Sequence, residues 1–180
     1  MRDCGELGYL VEPVLDLTYG NGRFWSELPE IEVVKNDIDE TRGDFHHDFR
    51  SFPSDDSTFG TVVFDPPYRI GGTPSTPDFD EAYGLNKVMS VGYVKGMIDD
   101  GVKEATRLAS KFVLIKVQDH ISSGVLQPLA LWAITAGENA GAQLVDSLHV
   151  VGGRAQPKGR RQVRARHGYS TLLVLRVRVR

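Results

Sequence analysis

The chain has few of the residues that mark disulfide-rich or membrane-spanning proteins. Its single cysteine, Cys4, excludes an intramolecular disulfide framework and is typical of a protein of the reducing cytoplasm, where we expect it. No apolar run approaches the ~20 residues that a membrane span needs, and no charged and then apolar leader opens the sequence. We therefore expect no membrane association.

The apolar content is sufficient for one ordinary domain. The 180 residues are 41% hydrophobic, and neither internal repeats nor low-complexity segments interrupt them. Short β-branched runs alternate with stretches of helical spacing, which predicts an α/β protein whose mainly parallel sheet is covered by helices on both faces. We expect a single domain over residues 1–180.

The stretch 61–68, Thr-Val-Val-Phe-Asp-Pro-Pro-Tyr, is the most informative in the chain. It predicts a buried strand that ends at Asp65, where two prolines stop the ladder. The carboxylate and the backbone carbonyls accept hydrogen bonds, and Tyr68 offers an aromatic face. Such a turn suits a planar ring that carries an amino group, for example a nucleobase. A turn that holds these residues by chance is the alternative.

Two earlier strands end in residues that suit a nucleotide. Residues 13–18 predict a strand that leads directly into Gly20 and Gly22, and two glycines in this place let a backbone approach a ligand closely. Residues 31–36 predict the next strand, which ends at Asp37. An acidic residue at that point, about 20 residues after the first strand, is where nucleotide-binding folds hold a ribose.

Four segments, 16–22, 36–39, 47–49 and 65–68, together resemble a known family. Their order is similar to that of S-adenosylmethionine-dependent methyltransferases. Asp-Pro-Pro-Tyr resembles the signature of enzymes that methylate an exocyclic amino nitrogen, chiefly N6 of adenine in DNA. The likeness extends over residues 13–177 and is greatest to small DNA-methylase-like proteins of actinobacteria and their phages.

The resemblance implies a fold and a domain organisation. The fold is a Rossmann-like class I methyltransferase, with a mainly parallel seven-stranded sheet, an antiparallel last strand and helices on both faces. Segments 111–119 and 166–175 resemble the fifth and the closing strands. No segment is large enough for a separate target-recognition domain; only 69–86 and 150–166 are candidates, so specificity could come from a partner or a second copy.

The resemblance also implies a reaction and its residues. S-adenosylmethionine is the expected cofactor, and an adenine flipped out of DNA is the expected substrate. Asp65 and the Pro66 carbonyl would accept hydrogen bonds from the target amine while Tyr68 stacks on the ring. The residues assigned to catalysis are Asp65, Pro66, Pro67 and Tyr68. Those assigned to the cofactor are Asp16, Thr18, Tyr19, Gly20, Gly22, Asp37, Ile38, Asp48, Phe49 and Asp65.

Positive charge is concentrated at one end of the sequence. Residues 154–180 hold nine of the 21 Lys and Arg residues and none of the 24 acids. This asymmetry favours contact with a polyanion, and the glycine-rich part of the segment could follow phosphates. The alternative, a charged edge strand, applies best to Arg176, Arg178 and Arg180. The residues assigned to nucleic-acid contact are Arg154, Lys158, Arg160, Arg161, Arg164 and Arg166.

The remaining features complete the expected architecture. Residues 87–109 predict a helix, and a second one is predicted from Leu126 to about Gly137. Two glycines and two prolines predict a loop over residues 69–79, which would be either a lid over the target base or an inert surface loop. His46-His47-Asp48 lacks a second ligand pair, so we expect no metal.

Alternative functions remain open at this point. The same chemistry could act on adenine or guanine in RNA or on N4 of cytosine in DNA. A non-catalytic nucleic-acid-binding protein that kept the scaffold is a further possibility.

Overall fold

The computed structural model describes residues 1–68, 70, 89–152, 164 and 167–178 of an α/β fold. The helices are α1 (Arg2–Glu6), α2 (Val91–Leu108) and α3 (Leu129–Asn139). The strands are β1 (Val14–Asp16), β2 (Val33–Lys35), β3 (Phe59–Phe64), β4 (Ala109–Val117), β5 (His120–Ser122), β6 (Val125–Gln127), β7 (Ala142–Val151) and β8 (Tyr169–Val177). None of these helices is long and apolar enough to cross a lipid bilayer.

The main sheet confirms the predicted class. Its order is β2-β1-β3-β4-β8-β7; the first four strands are parallel, and β8 runs antiparallel to β4. The described residues give six strands where seven were expected. Beyond β2, a single parallel bridge between Asn36 and Phe45 lies where a further strand would add. The chain there is too irregular to extend that bridge into a strand.

The place of β8 corrects one expectation. The segment of Arg176 and Arg178 was expected to be a charged edge strand, but β8, which contains Arg176, lies inside the sheet between β4 and β7; Arg180 lies outside the described residues. The central side chains of β8, Leu172 to Leu175, are buried on both faces, which is typical of an internal strand. The edge strand beside β8 is β7, which the sequence did not predict because polar residues interrupt its apolar pattern; its pairing with β8 has a bulge after Leu144.

A small hairpin corrects a second expectation. Leu126, expected at the start of a helix, lies in β6, which pairs with β5 outside the main sheet. The turn between them uses positive φ angles at Ser123 (49°) and Gly124 (76°), which a helix cannot contain. The helix α3 begins at Leu129, directly after Pro128, and not at Leu126.

The longest helix packs closely against the strand that leads to Asp65. Gly101 of α2 faces the Phe64 ring, and a Cβ atom on this glycine would lie 2.2 Å from the ring edge. Phe64 is fully buried and cannot swing aside. The missing side chain of Gly101 therefore sets the distance between helix and sheet directly beneath the end of β3.

Two glycine substitutions in α2 test this close approach. Gly101→Ala should lower the free energy of unfolding by about 1–3 kcal/mol, because it forces Phe64 and α2 apart. Gly96→Ala is the matched control: a Cβ there meets nothing within 4 Å, so the variant should gain about 0.5–1 kcal/mol from its better helix propensity. Urea denaturation measures both. Equal stability of the two variants would contradict the packing described here.

Candidate active site

The loop after β1 is built on a buried carboxylate. Asp16, the last residue of β1, is 1% exposed. Its Oδ1 accepts a hydrogen bond from the Thr18 N–H (3.1 Å) and its Oδ2 accepts one from the Trp25 indole N–H (2.8 Å). Burial raises the pKa of the Asp16 carboxyl to about 7, although both hydrogen bonds favour the anion. Asp16 therefore holds the loop in place by two hydrogen bonds from its buried side.

The two glycines of this loop have left-handed backbone. The φ angles are 57° at Gly20 and 68° at Gly22, and a Cβ at Gly22 would lie 2.5 Å from the Tyr19 hydroxyl oxygen. The Gly20 N–H donates to Asp37 Oδ2 (2.8 Å). The loop thus folds over the end of β2 and brings Asp37 to the glycines.

Asp37 lies at the same sheet edge with both carboxylate oxygens accepting backbone hydrogen bonds. Its Oδ1 accepts from the Asp39 N–H at 2.9 Å. Each oxygen keeps a further lone pair, so the carboxylate can also accept hydrogen bonds from hydroxyl groups of a ligand. The next side chain, Ile38, is 71% exposed, which places an apolar surface beside the carboxylate.

The buried side-chain amide of Asn36 joins three segments of the site. The sequence analysis did not identify Asn36 as a functional residue. Asn36 is fully buried, and its Nδ2 donates to the Leu17 carbonyl (3.0 Å) and the His47 carbonyl (2.9 Å). Its Oδ1 accepts from the His47 N–H at 2.9 Å. The signal in the sequence is a polar residue at the end of an apolar strand. Asn36 holds the segment that contains Asp48 against the sheet.

Asp48 and Phe49 lie at this edge, but Asp48 already has a partner. Its carboxylate accepts from the Arg50 backbone N–H at 2.9 Å and forms an ion pair with the Arg50 guanidinium. The hydrogen bonds from the Arg50 side chain lower the pKa of the Asp48 carboxyl. The Phe49 ring packs against Phe64, with 5.1 Å between the ring centroids.

The Asp65 turn is attached directly to the loop after β1. The Asp65 N–H donates to the Thr18 hydroxyl oxygen at 2.8 Å. The register of β1 and β3, with Asp16 opposite Val63, brings these two chain segments to the same height. Pro66 is buried, whereas the Asp65 side chain remains 24% exposed. The sequence-predicted turn and glycine loop therefore form one continuous edge.

The partner of Asp65 is a second residue that the sequence analysis missed. Lys116 of β4 donates from Nζ to Asp65 Oδ2 at 2.8 Å. Burial raises the pKa of the Asp65 carboxyl, and the Lys116 ammonium opposes this shift. The same ammonium lies 5.0 Å from the centroid of the Phe24 ring. The available signal is a lysine within the apolar run Phe-Val-Leu-Ile-Lys-Val.

Tyr68 has an aromatic neighbour from the β5–β6 hairpin. The ring centroids of Tyr68 and His120 are 5.7 Å apart, with the planes inclined by 53°. The hairpin thus brings His120 beside the Tyr68 ring. Gln118 holds β4 to the start of β8, donating from Nε2 to the carbonyls of His167 (3.1 Å) and Tyr169 (2.9 Å).

Most of the basic segment and of the candidate lid lies outside the described residues. Of the six residues assigned to nucleic-acid contact, only Arg164 is described. It is exposed, and its Nε donates to the Gly124 carbonyl of the hairpin at 3.3 Å. Of the lid 69–79, only Ile70 is described; it is buried and bridges to Met89. Arg154, Lys158, Arg160, Arg161 and Arg166 lie outside the described residues.

The described part of the chain contains no group of three or more His, Cys, Asp or Glu side chains arranged to hold a metal ion. In the candidate segment 46–48, the His46 Nδ1 instead lies 3.3 Å from the Asp37 carbonyl oxygen.

Comparison with protein-family models and with curated protein sequences finds no match. Solved structures do match. The magnesium protoporphyrin IX methyltransferase of Synechocystis PCC 6803, solved with S-adenosylhomocysteine, has a TM-score of 0.58 at 11% identity, over 92% of this chain and 73% of that one. The fold is that of the S-adenosylmethionine-dependent methyltransferases. The cyclase SpnF has a TM-score of 0.57 at 14% identity, over 99% of this chain and 81% of that one.

The methyltransferase fold thus supports more than one chemistry and does not identify a substrate. A Thermus thermophilus protein assigned as a DNA modification methylase matches 72% of this chain at 17% identity, with a TM-score of 0.47. This chain spans about half the length of that protein, 48%. Nothing about the substrate of this chain follows from this match.

The Asp16–Trp25 hydrogen bond is tested by its pH dependence. Because the pKa of folded Asp16, about 7, exceeds the ordinary 3.8, the carboxyl stabilises the fold when protonated. That contribution is present below pH ~4 and is lost as the pH rises through 7. Trp25→Phe removes a donor to the anion, so it should lower the free energy of unfolding by about 1–3 kcal/mol at pH 8 and by less at pH 5.

The other tryptophan provides the control for this prediction. Trp132→Phe, on the half-buried face of α3, should change the stability equally at both pH values. Urea denaturation at pH 5 and pH 8 measures how much each of the two variants differs from the wild type in free energy of unfolding. An equal loss for Trp25→Phe at both pH values would show that the indole does not stabilise the Asp16 anion.

Proposed function

We propose that this chain is an S-adenosylmethionine-dependent methyltransferase that methylates the exocyclic N6 of adenine in DNA. The observation that carries the proposal is the hydrogen bond from the Asp65 N–H to the Thr18 hydroxyl oxygen, with 2.8 Å between nitrogen and oxygen. It places the Asp65-Pro-Pro-Tyr turn beside the loop of Gly20 and Gly22 at the carboxyl ends of β1 and β3. Ligands of open α/β sheets bind at this edge.

The loop after β1 fits the cofactor. A Cβ on Gly20 would have no atom closer than the Thr18 carbonyl oxygen at 3.9 Å, so a ligand can approach this backbone. The methionine part would lie over residues 16–22, the ribose hydroxyls on Asp37, and the adenine between Ile38 and Asp48. The exposed side chain of Ile38 suits an aromatic ring.

The bound cofactor supplies an electrophilic methyl group: the acceptor nitrogen lone pair forms the N–CH3 bond, the S–CH3 bonding pair stays on sulfur as an uncharged thioether, and the nitrogen releases a proton to solvent. The protein contributes position and charge. Asp65 and the Pro66 carbonyl accept hydrogen bonds from the target amine, which orients its lone pair away from the ring. Tyr68 stacks on the base.

The carboxylate of Asp65 favours an amino group as the group that receives the methyl. Its Oδ2 already accepts a hydrogen bond from the nitrogen of Lys116, which is the contact that an amino group of a base would make with Oδ1. A carboxylate has no proton to donate and so offers nothing to a carbonyl oxygen or to an acceptor ring nitrogen. Adenine N6 satisfies this requirement with two N–H groups.

A base stacked in a duplex cannot reach the strand ends of the sheet. The target must therefore be flipped out, at a cost of a few kcal/mol, or be presented in a single strand. The basic segment 154–166 is assigned to the phosphates on both sides of the target. Arginine suits this role because its planar guanidinium matches phosphate oxygens.

Asp65→Ala separates chemistry from cofactor binding. The variant should lose at least about a hundredfold in the rate of methyl transfer, because the target amine loses its acceptor. Its binding of S-adenosylmethionine should remain measurable by calorimetry, because the other residues assigned to the cofactor are unchanged. Asp99→Ala, an exposed carboxylate on α2, is the control and should match the wild type in both measurements. A fully active Asp65→Ala variant would contradict the proposal.

Salt dependence tests the assignment of the basic segment. Arg160→Ala with Arg161→Ala should weaken DNA binding similarly for all sequences and reduce the slope of log K against log salt by about 2. The control, Arg176→Ala with Arg178→Ala, removes the same charge from the end of β8, where Arg176 lies over the Phe112 ring. If both pairs change the slope equally, net charge rather than the segment determines binding.

A further inference from the structure

The side chain of Lys116 lies between the two parts of the candidate site. Its Nζ is 2.8 Å from Asp65 Oδ2 and 5.0 Å from the centroid of the Phe24 ring, which follows the glycine loop. Both members of the ion pair are 24% exposed. The neighbours of Lys116 in β4, Ile115 and Val117, are fully buried. A charged residue is thus inserted into an otherwise apolar strand at the point where that strand passes Asp65.

Stability alone gives a weak reason for this arrangement. Removing two charges from water costs free energy that their mutual attraction often only balances, and apolar residues of similar volume are frequently as stable. An ammonium in such a place has to be explained by what it does to its partner. Here the partner is the carboxylate assigned to the target amine.

We propose that Lys116 is a positioning residue for methyl transfer: its ammonium keeps the Asp65 carboxylate anionic and holds Oδ2, so that Oδ1 faces the target amine. This inference rests on the proposed function of Asp65. A protonated Asp65 would present an O–H donor on one oxygen and would be a weaker acceptor on the other. The amine would then lose the contact that orients its lone pair.

The charges around Asp65 make this role necessary. Asp16, which ends β1, lies close enough to interact electrostatically with Asp65, and the like charges disfavour each other. Lys116, from β4, is the positive group that opposes the effect of burial on the Asp65 carboxyl. From the hairpin, His120 faces Tyr68. Without the Lys116 ammonium, the pKa of Asp65 rises and the protonated form of its carboxyl is favoured.

Lys116→Met tests the inference by the pH dependence of transfer. Activity requires the Asp65 anion, so kcat/KM rises with pH through the pKa of Asp65, and removal of the ammonium raises that pKa. We expect the acidic limb of kcat/KM to move up by about one pH unit in Lys116→Met, so that kcat/KM falls by up to about tenfold at pH values below the limb. Activity should recover at high pH, and Lys116→Arg, which keeps the charge, should retain a limb near that of the wild type.

Two further variants keep the test independent of folding. Lys111→Met, on the same strand but exposed, is the matched control and should leave the pH profile unchanged. Lys116→Gln keeps a hydrogen-bond donor without the charge and should move the limb in the same direction as Lys116→Met. Thermal unfolding of each variant confirms which of them are folded at the pH values used.

A measurement without substrate separates this inference from the proposed function. Carboxyl ¹³C NMR titration, with the Asp65 signal assigned by its loss in Asp65→Ala, gives the pKa of Asp65 in wild type and in the Lys116 variants. An Asp65 pKa that is unchanged in Lys116→Met and Lys116→Gln overturns the inference, whatever the enzyme acts on. Failure of the wild type to methylate any nucleic acid overturns the proposed function instead. A pKa raised in both variants supports the role of Lys116.

Discussion

The hydrogen bond from the Asp65 N–H to the Thr18 hydroxyl joins the two loops on which the candidate site depends. It forms because β1 and β3 are adjacent and parallel, with Asp16 opposite Val63, so that both strands end at the same height. Gly101 allows α2 to approach Phe64 and supports the end of β3 from one face. The site is thus the direct continuation of a well-packed sheet, and its geometry follows from strand register rather than from the loops alone.

The three carboxyl groups at this edge of the sheet have different surroundings. Asp16 is buried beneath the loop, and burial raises the pKa of its carboxyl to about 7. Asp37 accepts hydrogen bonds from backbone N–H groups, one of them from Gly20. Asp65 lies nearest the proposed acceptor and is paired with Lys116. Asp37 and Asp65 both disfavour the anion of Asp16, and the structure compensates with hydrogen-bond donors to Asp16 and with one ammonium beside Asp65. Burial raises the pKa of two of these carboxyls, Asp16 and Asp65, and such shifts are typical of functional sites.

Local patterns in the sequence predict the parts of this site that depend on local chemistry. Gly20 and Gly22 need left-handed backbone, and the prolines after Asp65 stop a strand; both signals are contained in a few residues. The parts that the sequence did not predict are contacts between distant residues. Lys116 and Asp65 are 51 residues apart, and only the adjacency of β3 and β4 brings them together. The same holds for β8, whose apolar run is compatible with an edge or a central strand until its neighbours are known.

The central claim is that this sheet edge transfers a methyl group to an amino nitrogen of adenine in DNA. The most direct measurement is transfer of label from S-adenosylmethionine to unmethylated genomic DNA, total RNA and protein in parallel, followed by nucleoside analysis of the product. The account predicts label in N6-methyladenine of DNA. Label only in RNA would keep the site and contradict the substrate, whereas label in none of the three, with the cofactor bound, would contradict the assignment of this edge as a methyl-transfer site.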